Sequence, residues 1–273
     1  MNHSQTIDRI KETMNNVNKT LYIPLYGKSY VSKKGLFLHD PKAEEIWEAE
    51  QFPLKGKSKS KYLAYYMGIR SAVFDAWVKQ QMAGAEDAVV IHVGCGMDSR
   101  VLRIGQEHPM WYDVDFPEVI TERKRYYTEN ARYRMLAGDV RDPAWLSQIP
   151  QCKSAIVIME GVSMYLTEDE LRRALAMIDT HFEKVALLMD CYTTFAAGMS
   201  KYKNPINDVG VTTVYGIDDP CVLQSEHVRF VLEHDLTPKS YIDQLHGTEK
   251  RIFSSVYAGG LSKKLYRLYE FDK

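Results

Sequence analysis

The residues of this chain best placed to do chemistry are a pair of glycines and three carboxylates, each at the end of an apolar run. The glycines lie in Val89-Val90-Ile91-His92-Val93-Gly94-Cys95-Gly96-Met97-Asp98-Ser99-Arg100. An apolar run that stops at a G-x-G turn and becomes polar is how a buried parallel strand feeds a helix N-terminus. Glycine lets the backbone bend sharply and approach a ligand. The helix start then presents free N–H groups and the positive end of the helix dipole. A nucleotide-type site is therefore expected at residues 94–100.

The carboxylates extend that site. Asp115 ends a second run, Met110–Asp115, 19 residues after Gly96. There an acid can accept from both ribose hydroxyls, where otherwise it would be a solvated strand end. Asp139 follows a third run in Gly138-Asp139-Val140. It is placed to accept from an adenine amino group while the backbone of Val140 reads the ring edge; alone, it reads equally as a turn acid. Glu160 ends a wholly apolar fourth run, Ala155–Met159. The C-terminal end of a central strand opens on the crevice where such sheets bind ligands. The G-x-G turn itself is shared by nicotinamide, flavin and S-adenosylmethionine sites. Ser99 replaces the third glycine of a dinucleotide fingerprint, which weakens the nicotinamide reading. An acid at Glu160 suits a sulfonium ligand with an α-ammonium.

These residues need a scaffold, and the pattern around them supplies one. Runs at 88–93, 110–115, 133–136, 155–159, 185–190, 227–235 and 264–271 read as seven strands, separated by helical segments at 99–107, 117–129, 167–181 and 238–245. Strands alternating with helices predict an α/β fold with a mostly parallel sheet, and the two late strands suit an antiparallel final one. Thr167 and Glu170 form a capping box, and Asp40 with Pro41 starts a helix over 41–50. Residues 62–82 have helical spacing, and 4–20 read as a polar helical arm. Between them, Pro24, Gly27 and Gly35 are expected to break any helix over 21–40. The whole reads as a single domain, 1–273, with a helical N-terminal extension (1–85) and an α/β core (86–273). Residues 218–225 read as helical, and 191–217 fit no simple element.

Composition narrows the partners. The 35 basic and 36 acidic residues leave a net charge of −1, which gives no electrostatic case for nucleic acid. The basic run Lys55–Lys61 reads as a solvated loop. Cys95, Cys152, Cys191 and Cys221 are too dispersed for a zinc site or a disulfide framework. No compact ligand cluster calls for a metal. No segment resembles a signal peptide or approaches the ~20 apolar residues of a membrane span, so a cytoplasmic protein with free thiols is expected. Of the histidines, His92 lies inside a strand and reads as a satisfied core residue, and none is singled out as a general base.

Taken in order, the motifs resemble the leucine carboxyl methyltransferase family, in particular its bacterial polyketide-type O-methyltransferases. The resemblance rests on Leu21–Tyr26, on Arg70 and Asp75 in Ile69–Asp75, on Gly94-Cys95-Gly96-Met97-Asp98-Ser99 with Arg100, on Asp115-Phe116-Pro117, and on Glu160–Leu166. It implies a Rossmann-like class I methyltransferase fold and S-adenosylmethionine as cofactor. Arg70, which apart from the resemblance reads as a surface ion pair, would pair with the methionine carboxylate, and Gly94 and Gly96 would let the backbone approach the methionine moiety. Asp115 would bind the ribose, Asp139 and Val140 the adenine, and Glu160 would lie near the amino group or sulfonium. Asp98 and Arg100 either belong to this set or organise the turn as a pair, and Lys28 is a further candidate for the cofactor carboxylate.

Tyr165 stands where the family's acceptor pocket begins, either orienting the acceptor or packing at a helix start. The acceptor is expected to be a small molecule, methylated on a carboxylate, which needs no base, or on a hydroxyl, which a base assists. The aromatic and methionine content of 191–217 suits either a lid for an apolar acceptor or a packed excursion. Competing readings are a protein C-terminal carboxyl methyltransferase, a non-catalytic cofactor-binding protein and a nicotinamide-dependent oxidoreductase.

Overall fold

The computed structural model describes residues 16–85, 87–105, 109–200 and 205–273. Most of the arm at 4–20, the end of the segment at 99–107, and Tyr202 lie outside the described residues. Seven strands form one sheet: β1 (Ala88–Val93), β2 (Trp111–Asp115), β3 (Tyr133–Ala137), β4 (Ser154–Met159), β5 (Lys184–Tyr192), β6 (Arg229–Glu233) and β7 (Tyr266–Asp272). Their order is β3-β2-β1-β4-β5-β7-β6. The β1–β5 pairings are parallel, and β7 inserts antiparallel between β5 and β6. This is the expected architecture. Strand order reverses between β1 and β4, so a crevice opens at the C-terminal ends of the strands.

Side-chain alternation sends each strand into two cores. Val90, Ile156, Ile158 and Leu188 pack on the face covered by the N-terminal helices. Val89, Ile91, Val157 and Met159 pack on the opposite face, with Leu171, Leu175 and Ile178 of a helix at Glu168–His181. That helix carries the expected capping box of Thr167 and Glu170.

The N-terminal extension is more helical than its sequence suggests. The expected break at 21–40 is instead helix α1 (Tyr22–Lys33), followed by α2 (Pro41–Glu50) and α3 (Lys61–Gly84). Pro24 falls in the first turn of α1, where no helical N–H is required. Gly27 meets α3 so closely that a Cβ there would lie 2.6 Å from Met67 Cβ. Gly68 on α3 would likewise place a Cβ 2.7 Å from Val31 Cγ2. These glycines let two helices touch rather than ending one. Asp40 caps α2 by accepting from Ala43 N at 2.9 Å.

The remaining helices of five residues or more among the described residues are α4 (Arg100–Ile104), α5 (Pro117–Arg123), α6 (Glu168–His181), α7 (Thr194–Met199) and, late in the chain, α8 (Gly247–Val256). The segment at 117–129 is shorter than its pattern suggested because the chain turns at Lys124. At 218–225 there is only a 3-10 turn, Pro220–Leu223, and at 238–245 a single turn, Lys239–Ile242. Helix α8 has no counterpart in the sequence reading; it buries only Phe253 and leaves Ile252 and Val256 exposed. Lys55–Lys61 is not a free loop: Gly56–Lys59 form a 3-10 turn with Ser58 buried. No helix of the described residues is long and apolar enough to cross a membrane.

Candidate active site

The C-terminal ends of β1–β5, with α1, α3 and the segments after β5, surround a cavity of about 720 Å³. Arg70, Gly94, Gly96, Asp115, Asp139, Val140, Glu160 and Tyr165 all line it. Residues from 70 to 165 converge because a parallel sheet brings every strand's C-terminal end to one edge.

At one end lies the glycine turn. Gly94 and Gly96 have φ of +64° and +49°, and a Cβ on Gly94 would sit 2.2 Å from Val162 Cγ2. Asp115 accepts from Gly96 N at 2.7 Å and from Phe116 N at 2.8 Å, leaving a second lone pair on each oxygen. Burial pushes its carboxyl up to about 6, against those N–H groups and Arg123, which favour the anion. Asp139 is gripped by the Arg141 guanidinium, with Nε at 2.9 and 3.0 Å from its two oxygens. That hydrogen bond holds the Asp139 carboxyl below its usual range.

Behind the turn is a buried ionic cluster. Glu160 accepts from Arg70 Nε at 3.0 Å and from Arg100 Nη2. Arg100 also reaches Asp75 at 2.6 Å and Asp98 at 3.4 Å. Arg103 joins Asp75, Asp98 and Asp40 at 2.7, 2.7 and 2.6 Å. Lys28 pairs with Asp98 at 3.0 Å. Asp98 and Arg100 thus do organise the turn, but within a larger set that also engages Lys28. Arg70 Nη1 completes the cluster through Asp190 at 3.0 Å. Lys28, Arg70, Arg100 and Arg103 face Asp40, Asp75, Asp98, Glu160 and Asp190, a surplus of one carboxylate. Burial opposes ionisation of Glu160, yet Arg100, Arg70 and Lys28 outweigh it and hold its carboxyl at about 2. Burial and then Arg100 lower His92 to about 4, so the imidazole is neutral. It is buried as expected but not satisfied, since Nδ1 has no hydrogen-bond partner among the described residues.

The other end of the cavity is aromatic. Tyr66, Tyr165, Tyr192, Tyr257 and Tyr266 line it, with Met67, Met164 and Met199. The rings of Tyr192 and Tyr266 stand 5.0 Å apart, edge to face. Burial raises the hydroxyls of Tyr66, Tyr165 and Tyr266, so they stay protonated and able to donate hydrogen bonds. Lys57, from the supposedly solvated run, also lines the cavity. Ala196, Met199, Pro205 and Ile206 of the segment after β5 close one side. Asp208 accepts from Ser58 N at 3.1 Å, and Asn16 Nδ2 donates to Gly210 O at 3.2 Å, so this segment is tied to both N-terminal pieces beside it.

Sequence reasoning missed Arg103, Asp190 and Tyr266. Asp190 carried a usable signal, because it lies near the end of β5 much as Glu160 follows β4. Asp40 was seen only as a helix cap, although it also binds Arg103.

The comparisons with known proteins agree with this geometry. The family model described as leucine carboxyl methyltransferase matches residues 4–179. The tetracenomycin polyketide synthesis O-methyltransferase TcmP of Streptomyces glaucescens is 31% identical over 184 residues, covering 66% of this chain and 68% of that protein. The S-adenosyl-L-methionine-dependent methyltransferase dpfgK of Gibberella zeae is 27% identical over 244 residues, covering 81% and 82%. Magnesium protoporphyrin IX methyltransferase from Synechocystis, solved with bound S-adenosylhomocysteine, shares the fold at a TM-score of 0.51 and 11% identity, covering 90% and 97%. The sheet, the glycine turn with its carboxylates, and a match over most of the chain place this protein in the leucine carboxyl methyltransferase family, as an S-adenosylmethionine-dependent methyltransferase.

Proposed function

We propose that the enzyme methylates a carboxylate oxygen of a small, largely apolar molecule bound at the aromatic end of the cavity. The observation that carries this reading is the make-up of that end. Five tyrosines, three methionines and Lys57 line it, while the described carboxylates and imidazole of the cavity, Asp98, Asp115, Asp139, Glu160 and His92, all belong to the strand ends and the glycine turn. A hydroxyl acceptor benefits from a base, whereas a carboxylate arrives ionised. The protonated hydroxyls of Tyr66 and Tyr165 favour an anionic acceptor, and the aromatic walls favour an apolar body.

The residues at the other end fit S-adenosylmethionine. Arg70 lines the cavity, and its Nη2 makes no hydrogen bond with the described residues, which leaves it for the methionine carboxylate. Glu160 and the surplus negative charge around it suit a ligand whose sulfonium and ammonium outnumber its carboxylate. Gly94 and Gly96 leave room for the methionine chain, Asp115 takes the ribose hydroxyls, and Asp139 with Val140 takes the adenine. When bound, the cofactor supplies a methyl group already activated on sulfur. The protein's part is to orient the acceptor oxygen, with Tyr165 among its guides, and to exclude water beneath Ala196, Met199, Pro205 and Ile206 of the segment after β5, which act as a lid.

The test is incubation with methyl-labelled cofactor and parallel panels of aromatic carboxylic acids and phenols. Label that base releases as methanol marks a carboxylate acceptor. Base-stable label would move the reading to a hydroxyl, and label in added protein to a protein carboxyl methyltransferase.

Asp115 offers a test of the cofactor end. Its raised carboxyl gives up its proton near pH 6, and the anion is the better acceptor for ribose hydroxyls. Affinity for S-adenosylhomocysteine is therefore expected to rise between pH 5 and pH 7 and then level off, by calorimetric titration. Asp115→Asn should bind about 1–3 kcal/mol more weakly and lose that pH dependence. Retention of the rise in Asp115→Asn would assign it to another group. The linkage to stability has the opposite sign. A folded-state value above the ordinary 3.8 favours the folded protein below pH 3.8, and the contribution is lost as pH rises through about 6.

A further inference from the structure

Arg70 is the one cavity-lining cation of the cluster whose guanidinium is braced from a part of the chain beyond the family match. Its Nε binds Glu160 at 3.0 Å, and its Nη1 binds Asp190 Oδ2 and the Tyr266 hydroxyl, each at 3.0 Å. Tyr266 in turn donates to Asp190 Oδ2 at 2.6 Å. Asp190 is fully buried, and its other oxygen accepts from Gly161 N at 2.7 Å, in the loop that follows Glu160. Its backbone carbonyl accepts from Ser163 Oγ in the same loop. A single carboxylate thus ties together Arg70 on α3, the Glu160–Ser163 loop and β7.

The arrangement has a direction. A guanidinium donates five N–H bonds in a rigid plane, so fixing its Nε and Nη1 edges leaves Nη2 as the edge offered to a ligand. The ring of Tyr266 lines the aromatic end of the cavity while its hydroxyl holds Arg70. The antiparallel register makes this possible, because Asp190 pairs with Leu268 and Tyr192 with Tyr266, which brings the Tyr266 hydroxyl to Asp190.

We infer that Asp190 and Tyr266 are positioning residues for cofactor binding, orienting Arg70 and the loop after Glu160 toward the amino-acid end of S-adenosylmethionine. The inference rests on the proposed assignment of Arg70 to the cofactor carboxylate. Asp190→Asn puts an amide donor against two donors, Arg70 and Tyr266, or else surrenders the bond from Gly161. Tyr266→Phe keeps the ring and removes only the brace.

The experiment is calorimetric titration of Asp190→Asn, Tyr266→Phe, their double variant and Arg70→Lys. The ligands are S-adenosylhomocysteine and 5′-methylthioadenosine, which lacks the amino-acid end. S-adenosylhomocysteine is expected to bind on the order of tenfold more weakly to Asp190→Asn and about threefold more weakly to Tyr266→Phe. Methylthioadenosine should bind all variants like the unaltered protein. The double variant should be no worse than Asp190→Asn, because both act through one guanidinium. Unchanged S-adenosylhomocysteine affinity in the single variants, or equal weakening of both ligands, overturns the inference. Should Asp190→Asn fail to fold, Tyr266→Phe decides it alone. If Arg70→Lys is selectively impaired while Asp190→Asn and Tyr266→Phe are not, this inference alone falls. If Arg70→Lys also binds normally, the assignment of Arg70 falls with it.

Discussion

Arg100→Ala is expected to destabilise the protein by about 3–5 kcal/mol, the cost of removing one partner from a buried ionic cluster. Arg100 is fully buried and stacks over the Phe74 ring at 5.4 Å. Its side chain joins α4 to α3 through Asp75 and Ser71, and to the end of β4 through Glu160. Alanine would leave these buried carboxylates short of a cation. Against a typical total stability of about 5–15 kcal/mol, that loss is large. The exposed pair Lys33–Glu48 makes the contrast, since a surface ion pair contributes about 0–1 kcal/mol. Arg100→Lys should recover only part of the loss, because one ammonium cannot span Asp75 and Glu160 as a planar fork does.

Urea unfolding checks these values, and an unshifted midpoint for Arg100→Ala would show that the cluster does not hold α3 to the sheet. The pH dependence follows the same logic. Glu160 titrates at about 2 when folded against an ordinary 4.5. Its contribution is therefore fully present above about pH 4.5 and is lost as pH falls through about 2, a loss that should shrink in Arg100→Ala.

The second large effect is expected at Gly94. Its φ of +64° carries a left-handed cost of about 1–2 kcal/mol for any L side chain. A Cβ there would also stand 2.2 Å from Val162 Cγ2, which forces the loop after β4 outward. Overpacking of that kind costs about a further 1–3 kcal/mol. Gly94→Ala should therefore lose about 2–5 kcal/mol in urea unfolding and bind S-adenosylhomocysteine poorly, since the displaced loop carries Glu160. Gly96→Ala is the control. Its φ of +49° carries the same strain, but among the described residues its Cβ would meet only Leu21 Cβ, at 3.3 Å. Equal stability of the two variants would show that Val162 gives way freely and that the strain alone matters.

The sequence reading succeeded where the signal is local. The apolar runs of β1–β5, the glycine turn and the acids beside the strand ends need only period-two alternation and turn chemistry, and they placed Asp115, Asp139 and Glu160 in one cavity. It failed where a residue's role depends on what it meets. Gly27 read as a helix breaker because the close approach of Met67, 40 residues away, is invisible in the local pattern. Helix α8 was missed because only Phe253 is buried along it.

By itself, then, the sequence determined an α/β sheet with a nucleotide-type turn, the carboxylates at its strand ends and, through its ordered motifs, the family. Those features are written in short windows, where hydrophobic period and glycine placement act on the chain directly. Only the tertiary structure decided which charges meet: that Arg100 and Arg103 bind Asp75, that Lys28 binds Asp98, and that Tyr266 reaches Arg70 and Asp190. These pairings depend on strand order, on register and on how deeply each group is buried. A buried charge must find its partner wherever the fold delivers one, at any distance along the chain.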